Sequence, residues 1–187
     1  MKQEIAFMVN RYVVTEAGPD GSDGEVVAFA QQKRMALKEQ VTFYTDETKK
    51  QVLFGFRARN VLDLKSGYDV TDAAGGTIGF FQKKFAASLV RSTWLMRQGD
   101  GMELTGRERS QAVAVLRRAW DVLPLVDALP FAWPYHFDFT ADGDSPVMSV
   151  DKKFGLRDRY VVHIASPDLD RRLAIAQAVA LDALQSR

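Results

Sequence analysis

The sequence predicts a mainly β protein: an antiparallel sheet of about a dozen short strands, folded as a sandwich or barrel, with one helix buried inside it. Three observations support this: a hairpin that recurs three times, turn signals at close spacing, and a final helix that is apolar on nearly every side. The 187 residues fit one domain, 1–187, large enough to bury most of its apolar surface without crosslinks.

The repeat defines the strands. Tyr68 to Phe85 (YDVTDAAGGTIGFFQKKF) aligns without a gap on Phe137 to Phe154 (FDFTADGDSPVMSVDKKF), at an offset of 69. Both begin aromatic–Asp–apolar–Thr and end Lys-Lys-Phe. Tyr12 to Met35 is a third copy, with a central turn six residues longer, rich in Gly, Pro and Asp. Those residues favour turns by conformational freedom, fixed φ and side-chain bonds to the backbone. Within the second copy, Tyr68, Val70, Ile78 and Phe80 alternate with smaller or polar residues, which is the period of a half-buried strand. Between the copies, Gln40–Arg59 reads as a hairpin with Val41 and Phe43 on one side, and SLVRSTWLMR and RYVVHIA read as the strands following copies two and three. The count is eleven or twelve strands, with no parallel crossover between them. One stretch departs from this pattern. From Glu108 to Val122, apolar Val113, Leu116, Trp120 and Leu123 recur at helical spacing and Pro124 ends the run, which predicts an amphipathic surface helix.

The last twenty residues, DLDRRLAIAQAVALDALQSR, predict a different helix. On a wheel of 100° per residue, Leu173, Leu181 and Leu184 fall within about 80°, while Ile175 lies about 180° from Leu184. Alanines occupy most of the remaining positions, and Gln177 and Asp182 are about 140° apart, too far to share one wet face. Such a helix is buried. Arg171, Arg172 and Asp182 make it a poor membrane span, and its slender alanine-rich girth suits the lumen of a closed sheet of about a dozen strands. Asp168 is the predicted N-cap, with Asp170 complementing the first turn.

Taken together, the run from Gln31 to Trp94, with ARNVLDLKSGYDVTD and GFFQKKF, and the apolar terminal helix resemble the tubby C-terminal-like superfamily, in its LURP-one-related and phospholipid-scramblase-like branches. The resemblance spans nearly the whole chain. It implies a closed twelve-stranded antiparallel barrel around one hydrophobic helix. For function it implies either phosphoinositide binding through clustered basic residues, as in tubby-like domains, or lipid movement and Ca²⁺, as in scramblases. The second implication suits this chain less well, because it has no cysteine to lipidate.

Candidate chemistry follows from these readings. The basic pairs Lys33–Arg34, Lys83–Lys84 and Lys152–Lys153 hold equivalent places in the three copies. Brought to one rim, they would hold anionic lipid head groups or phosphorylated ligands. Lysines that end strands also guard sheet edges, and only one of each adjacent pair can face a shared patch. Asp138, Asp142 and Asp144 depart from the spacing of a calcium loop, so neither metal nor cofactor is expected. With no cysteine and only His136 and His163, no nucleophile–base constellation stands out, and both histidines are read as structural, His163 packed on the face of Val161. No Gly-x-Ser-x-Gly elbow or dinucleotide loop is present. A net charge of +1 argues against nucleic acid as a partner. Phe80 and Phe85 are read as core and lid. The expectation is a cytoplasmic, non-catalytic binding or scaffold module that can lie peripheral to a membrane. The alternative is an enzyme or small-ligand barrel with a pocket near one rim.

Overall fold

Alternation along each strand sorts the side chains into a wall and a core. The computed structural model describes residues 2–6, 9–20, 22–33, 40–60, 67–84, 92–99, 101–110, 136–141, 145–153 and 159–185, without the side chains of 2–6, 9–10, 32–33 and 184–185. Among these residues twelve strands are present: β1 (Lys2–Ala6), β2 (Val9–Ala17), β3 (Asp23–Lys33), β4 (Gln40–Tyr44), β5 (Val52–Ala58), β6 (Tyr68–Asp72), β7 (Thr77–Lys83), β8 (Thr93–Gln98), β9 (Glu103–Glu108), β10 (His136–Thr140), β11 (Pro146–Lys153) and β12 (Arg159–Ile164). Each pairs antiparallel with its neighbour in sequence. The ring closes between β1 and β12 through one registered pair, Lys2 with Arg159. Among the described residues one helix, α1 (Arg171–Gln185), follows.

Inward positions carry the large side chains. Val41 and Phe43 on β4, Phe54 and Phe56 on β5, and Phe137 and Phe139 on β10 are all buried. The rings of Phe43 and Phe54 stack at 4.3 Å, and Phe81 meets Phe56 edge-on at 5.3 Å. Glycine makes room where an element crowds the wall. A Cβ on Gly79 would lie 3.0 Å from Leu173 Cδ2 of the helix, and one on Gly106 would lie 2.3 Å from Phe139 Cε1. Turns close by their own side chains: Asp72 Oδ1 accepts from the N–H groups of Ala74 at 2.9 Å and Gly76 at 2.7 Å, and Gly75 takes a positive φ of 86°.

Every residue of α1 from Leu173 to Ala183 is buried. That run covers three turns, so no face of the helix is wet over that length. The helix shares one hydrophobic cluster with inward side chains of strands all round the ring, and each fully buried Leu or Val there contributes about 1.5–3 kcal/mol relative to exposure. Ile175 keeps 9% of its surface, and the side chain of Leu184 lies outside the described residues. The cap is Asp170, not Asp168. Asp170 Oδ1 accepts from the N–H of Arg172 at 2.8 Å, while Gln98 Oε1 receives the N–H of Asp170 at 2.7 Å. The Arg172 guanidinium, hydrogen-bonded to this carboxylate, holds the Asp170 pKa below its ordinary value.

Two expectations need correction. Glu108 ends β9 and is buried, so it does not begin a surface helix; residues 111–135, with the rest of that expected helix, lie outside the described residues. Phe80 is not a core residue. A register shift between Val70 and Thr71 turns Gly79 and Phe81 inward instead, and Phe80 lies on the outer wall with the Arg59 guanidinium 4.3 Å above its ring.

Candidate functional site

Antiparallel pairing sends every odd-numbered strand toward the same end of the barrel, so β3, β7 and β11 finish on one rim. Lys33, Lys83 and Lys153 are their last residues. Successive strands in this set are four apart in the ring; at about 4.8 Å per strand, some 19 Å of wall separates one pair from the next. The topology therefore brings Lys33 and the pairs Lys83–Lys84 and Lys152–Lys153 to one rim and spaces them at thirds of its circumference. Lys83 and Lys152 are half-buried, Lys84 and Lys153 exposed. Lys152 Nζ sits 5.7 Å from the centroid of the Tyr160 ring, a cation–π contact at the rim. Arg34 and the side chain of Lys33 lie outside the described residues, as do Asp142, Asp144 and Phe85.

The segments joining strands at the two ends differ in charge. At the end where β3, β7 and β11 finish, the connecting segments hold ten Lys and Arg against five Asp and Glu. At the opposite end, which carries the tight hairpins, they hold six Asp and Glu against two Lys.

A second feature lies in the wall itself. β1 pairs with β2 only along Val9–Val13 and with β12 only at Arg159. Among the described residues, Val14–Ala17 of β2 have a strand neighbour on the β3 side alone, and Tyr160–Ile164 of β12 on the β11 side alone. Between them opens a slot of about 430 Å³ that reaches Ile175 of the helix. Its lower limit is a polar bracket: the phenol of Tyr12 donates to Asp182 Oδ2 at 2.9 Å and that of Tyr160 to Asp182 Oδ1. Outside, Arg159 reaches Asp23 at 3.0 Å across the slot. At the upper end Arg171 approaches Glu16 at 4.0 Å.

The two histidines meet on the outer wall. His136 Nδ1 lies 2.7 Å from Asp151 Oδ1 and His163 Nε2 3.9 Å from Asp151 Oδ2. His163 does share the face of Val161, but its side chain is 64% exposed, because that face is solvent rather than core. Arg109 Nε donates to Asp138 at 2.8 Å, and this bond raises the Arg109 pKa; Asp138 is thus an ion-pair partner. Among the described residues no group of His, Asp and Glu is arranged to hold a metal ion, and no helix is long and apolar enough to cross a membrane.

The slot and its Tyr12–Asp182–Tyr160 bracket were not foreseen from the sequence. The only available signal was Asp182 itself, a carboxylate in a helix that is otherwise apolar.

No curated protein and no solved structure matches the chain. A family model, LURP-one-related, matches residues 26–182. That span runs from the middle of β3 to the bracket carboxylate, and it includes the second and third copies of the repeated hairpin and most of the buried helix. The chain belongs to the LURP-one-related family, a branch of the tubby-like superfamily.

Proposed function

We propose that the protein is a non-catalytic binding module that rests the basic end of its barrel on an anionic lipid surface from the cytoplasmic side. The sequence of the connecting segments carries this reading: those that join strands at one end are twofold richer in basic than acidic residues, and those at the other are threefold richer in acidic than basic. Sites spaced about 19 Å apart along a rim are too far apart to grip one head group together, but they suit a plane. Each Lys or Arg near an anionic leaflet adds about 1 kcal/mol, and the attraction fades within a Debye length of about 8 Å at physiological salt. The acidic end then faces away from the membrane, which favours a single orientation.

Sedimentation with phosphatidylcholine vesicles, with and without phosphatidylserine or a phosphoinositide, tests this reading. Binding is expected only to the anionic vesicles and is expected to weaken as salt rises. The double variant Lys83→Glu/Lys84→Glu is expected to lose most of it. Binding left intact by charge reversal at this rim overturns the proposal.

A further inference from the structure

The structure assigns the outer wall from β2 to β5 as a contact surface for a second copy of this chain, related to the first by a two-fold axis. One registered row carries four apolar side chains there. Val13 of β2 pairs with Phe29 of β3, Phe29 with Tyr44 of β4, and Tyr44 with Val52 of β5. Their chain neighbours Tyr12, Ala30 and Phe43 belong to the core, so alternation turns Val13, Phe29 and Tyr44 outward, and Val52 shares the face of its partner Tyr44. The opposite wall makes the contrast. Its outward row, Arg107 with Asp138, Asp138 with Ser149 and Ser149 with His163, is polar throughout. Phe29 forms the floor of the apolar strip at 3% exposure, while Val52 is 41% exposed and Val26, farther along β3, is 47% exposed. Single apolar residues on a surface need no explanation, whereas a contiguous set marks a contact site.

The charges beside the strip select its occupant. Arg11 and Arg57 lie on the side toward the basic rim, and Glu25 and Glu47 on the side toward the tight hairpins. All four are exposed, and among the described residues none of them makes an ion pair. A second copy rotated about an axis lying along the row has its strands reversed across the contact. That rotation lays one apolar strip on the other. It brings Arg11 toward Glu25 of the partner subunit and Arg57 toward Glu47 of the partner subunit, and each contact occurs twice by symmetry. Rotation about an axis along the strands would instead set Arg11 near Arg57 of the partner subunit, and like charges oppose that arrangement. The favoured contact covers both strips, so assembly closes at two. Two convex walls meet over a small area, which makes the dimer weak, with a dissociation constant on the order of 100 µM. Its two barrel axes run in opposite directions, so a basic end stands at each pole.

Sedimentation velocity of the full chain, from about 10 µM to about 1 mM and without lipid, tests this surface. A reversible monomer–dimer equilibrium is expected, with no larger species. Val52→Lys sets a charge in the strip and is expected to weaken the dimer about tenfold. Arg57→Glu and Glu47→Arg are each expected to weaken it about fivefold. Combined in one chain, these two substitutions restore opposed charges across the contact, and affinity is expected to return to within about twofold of the parent. All three positions are exposed, so thermal melts of the variants should match the parent. A chain that stays monomeric at about 1 mM overturns the proposal. So does a dimer indifferent to Val52→Lys, or one that the double substitution fails to rescue. No lipid enters the assay, so this experiment and vesicle sedimentation fail independently of each other.

Discussion

Opposite sides of the barrel are held by different kinds of bond. From β7 through β8 to β9 the wall is a continuous backbone ladder, with five registered pairs at each step, and the lumen behind it is filled by Phe81, Trp94, Met96 and Leu104. At the β1–β12 closure the ladder falls to one pair, and side chains take over: two phenols on Asp182 inside, Arg159 on Asp23 outside. The helix is bonded to the seam through Asp182 near its C-terminal end, and to the ladder side through Gln98 of β8 at its N-cap.

Asp182→Ala is expected to have the largest effect, because it strands both phenols inside the core; leaving each buried donor unpaired costs about 1–3 kcal/mol. A thermal melt should fall well below that of Asp182→Asn, which keeps an acceptor. On the ladder side, Gly106→Ala drives a methyl group into the Phe139 ring, and chemical denaturation should register a loss of about 1–3 kcal/mol from overpacking. Gln177 sharpens the contrast with the opposite sign. It is fully buried on α1, about 140° round the helix from Asp182, and among the described residues neither its Nε2 nor its Oε1 has a hydrogen-bond partner. Gln177→Leu is expected to stabilise the protein by about 1 kcal/mol in the same assay.

Tyr68 offers a pH test on the ladder side. Burial pushes its pKa up to about 12 from 10.0, so the folded state disfavours the phenolate. The contribution of this residue is complete below about pH 10 and diminishes as pH rises toward 12, by about 1 kcal/mol near pH 11. Stability of Tyr68→Phe should not show this component of the alkaline decline. The smallest effect is expected for Arg159→Gln, under about 1 kcal/mol, since both partners of that pair are exposed; high salt should erase the difference between variant and parent.

Much of the architecture is visible in the chain because its strands follow one another as neighbours, so hairpin order alone yields ring order. The threefold repeat also explains why the basic pairs stand at thirds of the rim: three copies of four strands make twelve. The buried helix is legible because alanine and leucine leave it no wet face. What escapes the sequence depends on pairing. Whether Phe80 or Phe81 turns inward depends on the irregularity at Val70 and Thr71, which alternation within β7 does not reveal. The slot lies beyond the one registered pair of β1 with β12, a relation between strands far apart in the sequence. Asp182 was conspicuous as a misfit, but its partners lie 170 and 22 residues away, beyond any local pattern.

The bracket also has a kinetic consequence. Tyr12 and Asp182 can meet only after every intervening strand has been laid down, and closing so long a loop before any local reward slows the search. The hairpins are local and form early; sealing the ring around the helix comes last. Until then the molecule is an open, curling sheet with its aromatic concave surface uncovered. A refolding experiment should therefore show strand content recovering well before tryptophan fluorescence, with aggregation competing during the interval.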